Sequence, residues 1–244
     1  MSRPLALVVR GPGTNRDADV SLALDLAGAE TRTVLAADLV RRPELLDEAR
    51  MLVLAGGFSY ADALGAGRVL ALELERGLGD ELRSFVAKRR PVLGICNGYQ
   101  ALVRTGLLPG GSGRVALAPN DTGRFECRWV QLQPSSDRCV WTAGLGEPID
   151  CPIAHGEGRF VTDEDTLAAL RANDQIALTY AGPNPNGSLD AIAGITDPTG
   201  VVLGLMPHPE NHVLARQFPR HTRGERGGLG LALFEHGVRH AKEL

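Results

Sequence analysis

The stretch that most constrains this chain is Val92-Leu93-Gly94-Ile95-Cys96-Asn97-Gly98-Tyr99-Gln100. A short apolar strand ends in Gly-x-Cys-x-Gly, and a helical pattern (Tyr99, Gln100, Ala101, Leu102, Val103) follows at once. This is the strand–turn–helix layout of a nucleophile elbow, written G-x-S-x-G in the α/β hydrolases, here with cysteine at the apex. A turn this tight brings two backbones together and strains the apex residue, which is why glycine flanks it on both sides. It also sets the thiol at a helix N-terminus, where unpaired N–H groups and the macrodipole favour thiolate over thiol. A lone cysteine is equally a small buried hydrophobe, so the reading needs partners elsewhere in the chain.

Gly204-Leu205-Met206-Pro207-His208-Pro209-Glu210 provides them, directly after an apolar strand over Val201 to Leu205. The flanking prolines forbid a helix through His208 and bias the segment toward extended backbone. Residues two apart in an extended chain point to one side, so Glu210 is expected to support the His208 imidazole. Cys96, His208 and Glu210 then make the nucleophile–base–orienter set of covalent acyl transfer.

The rest of the chain fits a cytoplasmic α/β protein. Its 244 residues suit a single domain spanning residues 1–244 and can bury a full core. With a net charge of −3 and no basic stripe interleaved with aromatics, nothing suggests a nucleic-acid surface. The basic run from Arg216 to Arg226 also carries Glu225 and reads as a solvated loop. Cys96, Cys127, Cys139 and Cys151 lack C-x-x-C spacing, which argues against a zinc site or a disulfide framework and fits a reducing compartment. There is no signal-peptide pattern and no apolar run of membrane-spanning length.

Strands are expected at Leu5–Val9, Thr31–Leu35, Met51–Ala55 and Pro91–Ile95, with helices at Asp17–Ala29, Val69–Lys88 and after the elbow. That alternation predicts a doubly wound, mostly parallel sheet with helices on both faces, where sites form beyond the carboxyl ends of strands. After Pro109 the pattern changes to an antiparallel extension: Arg124–Gln133, Gly158–Thr162, Ile176–Tyr180 and Ala191–Thr196. Val201–Leu205 returns to the sheet and Leu229–Glu243 closes the chain as a helix. The loop Gly56-Gly57-Phe58-Ser59-Tyr60 lies past a central strand on the same edge as the elbow. An oxyanion hole needs two backbone donors, and Gly57 N–H and Asn97 N–H are assigned to it. No Walker loop is present, because Gly11-Pro12-Gly13 lacks the following Gly-Lys-Ser/Thr.

With these motifs the sequence resembles the class I glutamine amidotransferases. Within them, Ala55 to Asp62, Pro152-Ile153-Ala154-His155-Gly156-Glu157-Gly158-Arg159-Phe160, Asn184 to Ser188 and Ile192 to Ile195 resemble one subfamily from end to end. That subfamily is the glutaminase subunit (PurQ type) of phosphoribosylformylglycinamidine synthase, an enzyme of purine biosynthesis. The resemblance implies that Cys96 attacks the side-chain amide of glutamine, with His208 and Glu210 completing the triad. It implies a glutamyl thioester, released ammonia, and delivery of that ammonia to a large synthetase subunit (PurL type) that uses ATP and Mg²⁺. A small third subunit (PurS type) is also implied, and no cofactor in this chain. Gln100 resembles a substrate-binding position, and Gly56 and Phe58 are placed beside it in that role.

His155 and Glu157 are read as shaping the substrate pocket or the synthetase-facing surface, without direct chemistry. His212 receives no role, and the remaining cysteines are taken as structural. Three positions depart from the subfamily pattern: Asn211, where arginine is usual; Ala61-Asp62-Ala63-Leu64-Gly65, where Gly-Asp-Tyr-Leu-Arg is usual; and Asn15-Arg16-Asp17, where Asn-Cys-Asp is usual. A protease-type cysteine hydrolase of similar fold often has histidine directly after the elbow cysteine, where this chain has Asn97, and lacks the late His-Pro-Glu. Glutaminase subunits of other amidotransferases are separated by the Pro-Ile-Ala-His-Gly-Glu-Gly stretch.

Overall fold

The computed structural model describes residues 3–244. In chain order its first half contains strand β1 (Leu5–Arg10), helix α1 (Asp17–Leu26), β2 (Glu30–Leu35), α2 (Ala36–Arg41), α3 (Leu45–Glu48), β3 (Met51–Leu54), α4 (Arg68–Ala87), β4 (Val92–Ile95) and α5 (Asn97–Arg104). The second half contains β5 (Val115–Pro119), β6 (Glu126–Pro134), β7 (Ile149–His155), β8 (Glu157–Thr162), α6 (Glu164–Ala172), β9 (Ile176–Ala181), β10 (Ile192–Thr196), β11 (Val202–Leu205) and α7 (Leu231–Lys242).

Nine strands form one sheet in the order β2-β1-β3-β4-β11-β10-β9-β6-β7, and β5 pairs with β8 in a separate antiparallel ribbon. From β2 to β11 every pairing is parallel; from β10 to β7 every pairing is antiparallel. The change follows from how the strands are covered. Leu52, Val53, Leu54, Val92, Leu93 and Ile95 are all buried, as central parallel strands between helical layers require. Helix α1 packs with α7 in one layer, and α4 packs with α2 and α5 in the other. In β7 burial alternates instead, with Ile149, Cys151, Ile153 and His155 inside and the residues between them part-exposed.

The expected doubly wound sheet with an antiparallel extension is therefore the observed one, and its core strands fall close to their expected places. Two strands and three helices were not foreseen: β5, β7, α2, α3 and α6. β7 carries Pro152 in its middle, and its inward residues mix apolar side chains with Cys151 and His155, so neither composition nor alternation marks it. Helix α6 opens on Asp163, whose carboxylate accepts the Thr166 N–H at 2.7 Å as an N-cap. Of the other cysteines, Cys139 and Cys151 are buried and Cys127 is exposed on β6, so only the first two pack in the interior. No helix of the described residues is long and apolar enough to cross a membrane.

The extension does not lie flat. Five strand spacings separate β4 from β7 in the sheet order, which would set them ~24 Å apart in a flat sheet. Yet the Ala154 carbonyl on β7 lies 3.9 Å from Cys96 Sγ beyond β4. Twist accumulating through the antiparallel strands turns β7 back over the carboxyl edge of the parallel half, where it walls the elbow.

The elbow itself depends on one close contact. A Cβ on Gly98 would stand 2.0 Å from the Leu54 carbonyl oxygen at the end of β3. Gly98→Ala is expected to force α5 away from β3, at a cost of about 1–3 kcal/mol or more. A thermal melt should show it as a Tm lower by several degrees, since ~1 kcal/mol shifts a chain of this size by about 2–4 °C. An unchanged Tm would mean that α5 does not need this approach.

Candidate active site

Cys96 caps α5 with φ 50° and ψ −105°, left-handed backbone that a non-glycine residue adopts only when its surroundings enforce it. They do so from both sides. The Cys96 N–H donates to the Leu205 carbonyl at 2.8 Å, tying the elbow to the end of β11. The chain leaving β11 then passes through Met206 and Pro207 to His208, whose N–H donates to the Pro152 carbonyl of β7 at 2.9 Å. Adjacent parallel strands thus deliver two residues that are far apart in sequence to one edge.

His208 is buried. Its Nδ1 donates to Glu210 Oε1 at 2.7 Å, which keeps a proton on that nitrogen. The ring also lies beside the Cys96 side chain, and both border one cavity. Burial alone would lower the imidazole pKa, but the charges of Glu210 and Cys96 and the hydrogen bond to Glu210 outweigh it, holding the group up at about 10. The expected pairing of His208 with Glu210 is present, though its geometry differs from the extended chain foreseen. Pro209–Asn211 closes a single 3₁₀ turn, and Glu210 reaches back to the ring from within it.

The glycine loop meets this pair directly. A Cβ on Gly56 would lie 2.9 Å from His208 Cε1, 3.0 Å from the Ile95 carbonyl and 3.4 Å from Cys96 Cβ, so the loop backbone packs against the Cys–His contact. Gly57 has φ +99°, and any Cβ there would collide with Asn15. Asn97 begins α5, so its N–H has no carbonyl one turn earlier within the helix to bond. Its side chain clamps the loop: Oδ1 accepts from Ser59 N–H at 3.1 Å and from the Ser59 hydroxyl, while Nδ2 donates to Asp62 at 2.8 Å.

Cys96, His208, Gly57, Phe58, Asn97 and Gln100 all border one cavity of about 190 Å³, a volume suited to a ligand of amino-acid size. Glu210 stands behind His208, fully buried. Phe58 sits at the mouth, stacked on Phe125 at 6.1 Å between ring centroids. Gln100 borders the cavity with both ends of its amide engaged by protein: Nε2 donates to the Glu157 carbonyl at 2.5 Å and Oε1 accepts from Asn97 at 3.1 Å. Here it braces the pocket wall.

Sequence reasoning missed several residues of the cavity. Arg16, Asp62, Ala154 and Phe125 also border it. The Asp62 carboxyl is raised by burial and by the nearby Glu157 charge, against an opposing hydrogen bond from Asn97. His155 and Glu157 were singled out and do line the pocket. The His155 imidazole is lowered to about 4 by burial and by the positive charge of His208. His212 lies outside the cavity, packed between Trp129 and Phe218, with its two ring nitrogens facing the carbonyls of Asp150 and Arg226. Among the described residues no group of three His, Cys, Asp or Glu side chains is placed to hold a metal ion.

An elbow cysteine, a histidine held by a buried carboxylate, and a glycine loop at the carboxyl edge of a parallel sheet define a glutamine amidotransferase of class I. The profile of the CobB/CobQ-like glutamine amidotransferase domain matches residues 3–241. More narrowly, the chain belongs to the PurQ family of phosphoribosylformylglycinamidine synthase subunits. It is 46% identical to the subunit PurQ of Treponema denticola, over 97% of this chain and 98% of the relative. The PurQ of Dehalococcoides mccartyi is 39% identical over the whole of both chains. A chain of the PurLQS structure from Thermotoga maritima superimposes with a TM-score of 0.78 at 34% identity, covering 97% of this chain and 98% of that one.

The raised His208 pKa makes a signed prediction. A histidine whose folded pKa lies above the unfolded ~6.5 contributes stability that is fully present below pH ~6.5 and is lost as pH rises through the folded value of about 10. The stability difference between wild type and His208→Ala should therefore be constant in mildly acidic buffer and change, in favour of the variant, between pH ~6.5 and about 10. Denaturant melts across that range measure it. A difference that stays flat up to pH 10 contradicts a charged imidazole in the folded state.

Proposed function

We propose that this chain is the glutaminase subunit of phosphoribosylformylglycinamidine synthase, releasing ammonia from glutamine through a thioester on Cys96. The observation that carries the reading is the placement of Cys96, at a strained elbow, and of His208, hydrogen-bonded to the buried Glu210, on one cavity of amino-acid size. In the proposed reaction the thiolate of Cys96 works beside the imidazolium of His208. The sulfur attacks Cδ of the substrate carboxamide, and the carbonyl electron pair moves onto oxygen. Gly57 N–H and Asn97 N–H stabilise that oxyanion. His208 then gives its proton to the nitrogen, the C–N bond breaks, and ammonia leaves behind a glutamyl thioester. Water activated by the now neutral His208 hydrolyses the thioester to glutamate.

Glu210 keeps the proton on Nδ1 and steadies the imidazolium throughout. Asp62 and Glu157 offer carboxylates to the substrate α-ammonium, and Arg16 offers its guanidinium to the α-carboxylate; all three border the cavity. Gly56 serves by close packing, and Phe58 covers the mouth. Ammonia in neutral water is mostly ammonium and not nucleophilic, so the product passes enclosed to a separate PurL-type synthetase, with a PurS-type subunit completing the complex. ATP and Mg²⁺ belong to the synthetase. The complex works in the cytoplasm, and residues 1–244 act as one domain.

In the assembled complex, Cys96→Ser is expected to abolish glutamine-dependent amidine synthesis and leave synthesis from added ammonium salts intact. His208→Ala should slow glutamine hydrolysis by ~10²–10⁴-fold. Mass spectrometry after rapid quenching with glutamine should place a glutamyl adduct on the peptide containing Cys96. An adduct on another residue, or wild-type hydrolysis by Cys96→Ser, would overturn the assignment.

A further inference from the structure

Nε2 of His155 has no hydrogen-bond partner among the described residues; the residue is only 3% exposed and lines the same cavity as Cys96 and His208. Its tautomer follows from the bonds around it. Asn120 donates both Nδ2 hydrogens, to the Arg124 carbonyl at 2.9 Å and to the His155 carbonyl at 2.8 Å. The atom it turns to His155 Nδ1, 3.0 Å away, is therefore Oδ1, and an amide oxygen only accepts. Nδ1 must carry the ring proton, which leaves Nε2 as a bare lone pair. Native proteins keep few buried acceptors without donors, and one on a residue that lines a cavity is a candidate to take a donor from a ligand.

We propose that His155 Nε2 accepts an N–H from the departing nitrogen of the substrate, first as the carboxamide –NH₂ and then as ammonia. This rests on the glutaminase reading above and extends it to a residue that reading leaves idle. The alternative donor is the substrate α-ammonium, but that cation already has the Asp62 and Glu157 carboxylates in the cavity, whereas an uncharged N–H suits an uncharged acceptor. The preceding residue supports the placement, since the Ala154 carbonyl lies 3.9 Å from Cys96 Sγ at the reacting end. Electron and proton flow are unchanged: the C–N bonding pair goes to nitrogen, the proton comes from His208, and His155 neither gains nor loses one. Holding an N–H on the far side turns the nitrogen lone pair toward His208 for that transfer. With its pKa lowered to about 4, the ring also cannot protonate the ammonia it touches.

The test compares two substrates that differ only in the leaving group: glutamine, and the γ-methyl ester of glutamate, whose alkoxide carries no N–H. His155→Asn keeps a donor near the Nδ1 position for Asn120 and removes the pocket acceptor. It is expected to lower kcat on glutamine by about 10- to 100-fold and to leave ester turnover within about twofold. His155→Gln, which returns an amide near the Nε2 position, should recover part of the loss. The amide-to-ester ratio does not depend on the fraction of folded protein, so it stays decisive if either variant is unstable. Equal losses on both substrates, or no loss on glutamine, would overturn the proposal. Wild-type protein that turns over neither substrate would instead remove the glutaminase reading itself.

Discussion

The backbone bond from Cys96 N–H to the Leu205 carbonyl, 2.8 Å long, is the interaction on which the site depends. It continues the parallel ladder of β4 with β11, in which Ile95 lies opposite Leu205, one residue past the end of β4. Nothing local could bring these segments together, since they lie more than a hundred residues apart. The register holds because Gly94 and Gly204 lie opposite each other where α5 packs closest, and a slip would press a side chain against Gly98 or Tyr99. Gly98 against the Leu54 carbonyl then fixes where α5 starts, and so where the sulfur stands.

The cavity also shows how one side-chain type is put to two uses. His208 and His155 border the same space, yet one is raised to about 10 and the other lowered to about 4. Burial pushes both toward neutrality. Glu210 and Cys96 reverse that for His208, and the resulting charge on His208 reinforces it for His155. A second anion beside His155 would undo the separation; its neighbour on Nδ1 is instead the uncharged Asn120. Titratable groups driven apart in this way mark a division of roles.

Much of the parallel half was legible in the sequence, because buried parallel strands are written as continuous apolar runs and the elbow carries its own glycine spacing. The antiparallel half was less so. β7 holds a proline and a histidine on a strand whose partners are decided by the curl of the sheet, a property no local window contains. Cys96, His208 and Glu210 could be named because each sits at a strand end marked by glycine or proline, although the 3₁₀ turn at Pro209–Asn211 was not foreseen. Gln100 shows the opposite case. Its position beside the pocket was readable, but the bonds that occupy its amide come from Asn97 and from the Glu157 carbonyl across the cavity. Asn120, which sets the His155 tautomer, carried no signal at all, being 35 residues away in sequence.

The curl of the extension explains why this fold carries its antiparallel strands at all. The parallel half alone would present Cys96 and His208 on an open edge, in water that screens their charges and competes for every hydrogen bond. Folding β7 back over that edge places the Pro152 carbonyl on His208 N–H, the Ala154 carbonyl beside the sulfur and the His155 ring in the wall. Gln100 closes the same wall from α5 by bonding the Glu157 carbonyl, where β8 begins. The parallel strands therefore carry Cys96 and His208 and the antiparallel strands supply the enclosure, and β11, bonded to β4 on one side and β10 on the other, joins the two. A substitution that flattened the extension would open the cavity and also take the Pro152 carbonyl from His208 N–H, so the β7 wall both encloses the site and holds its histidine.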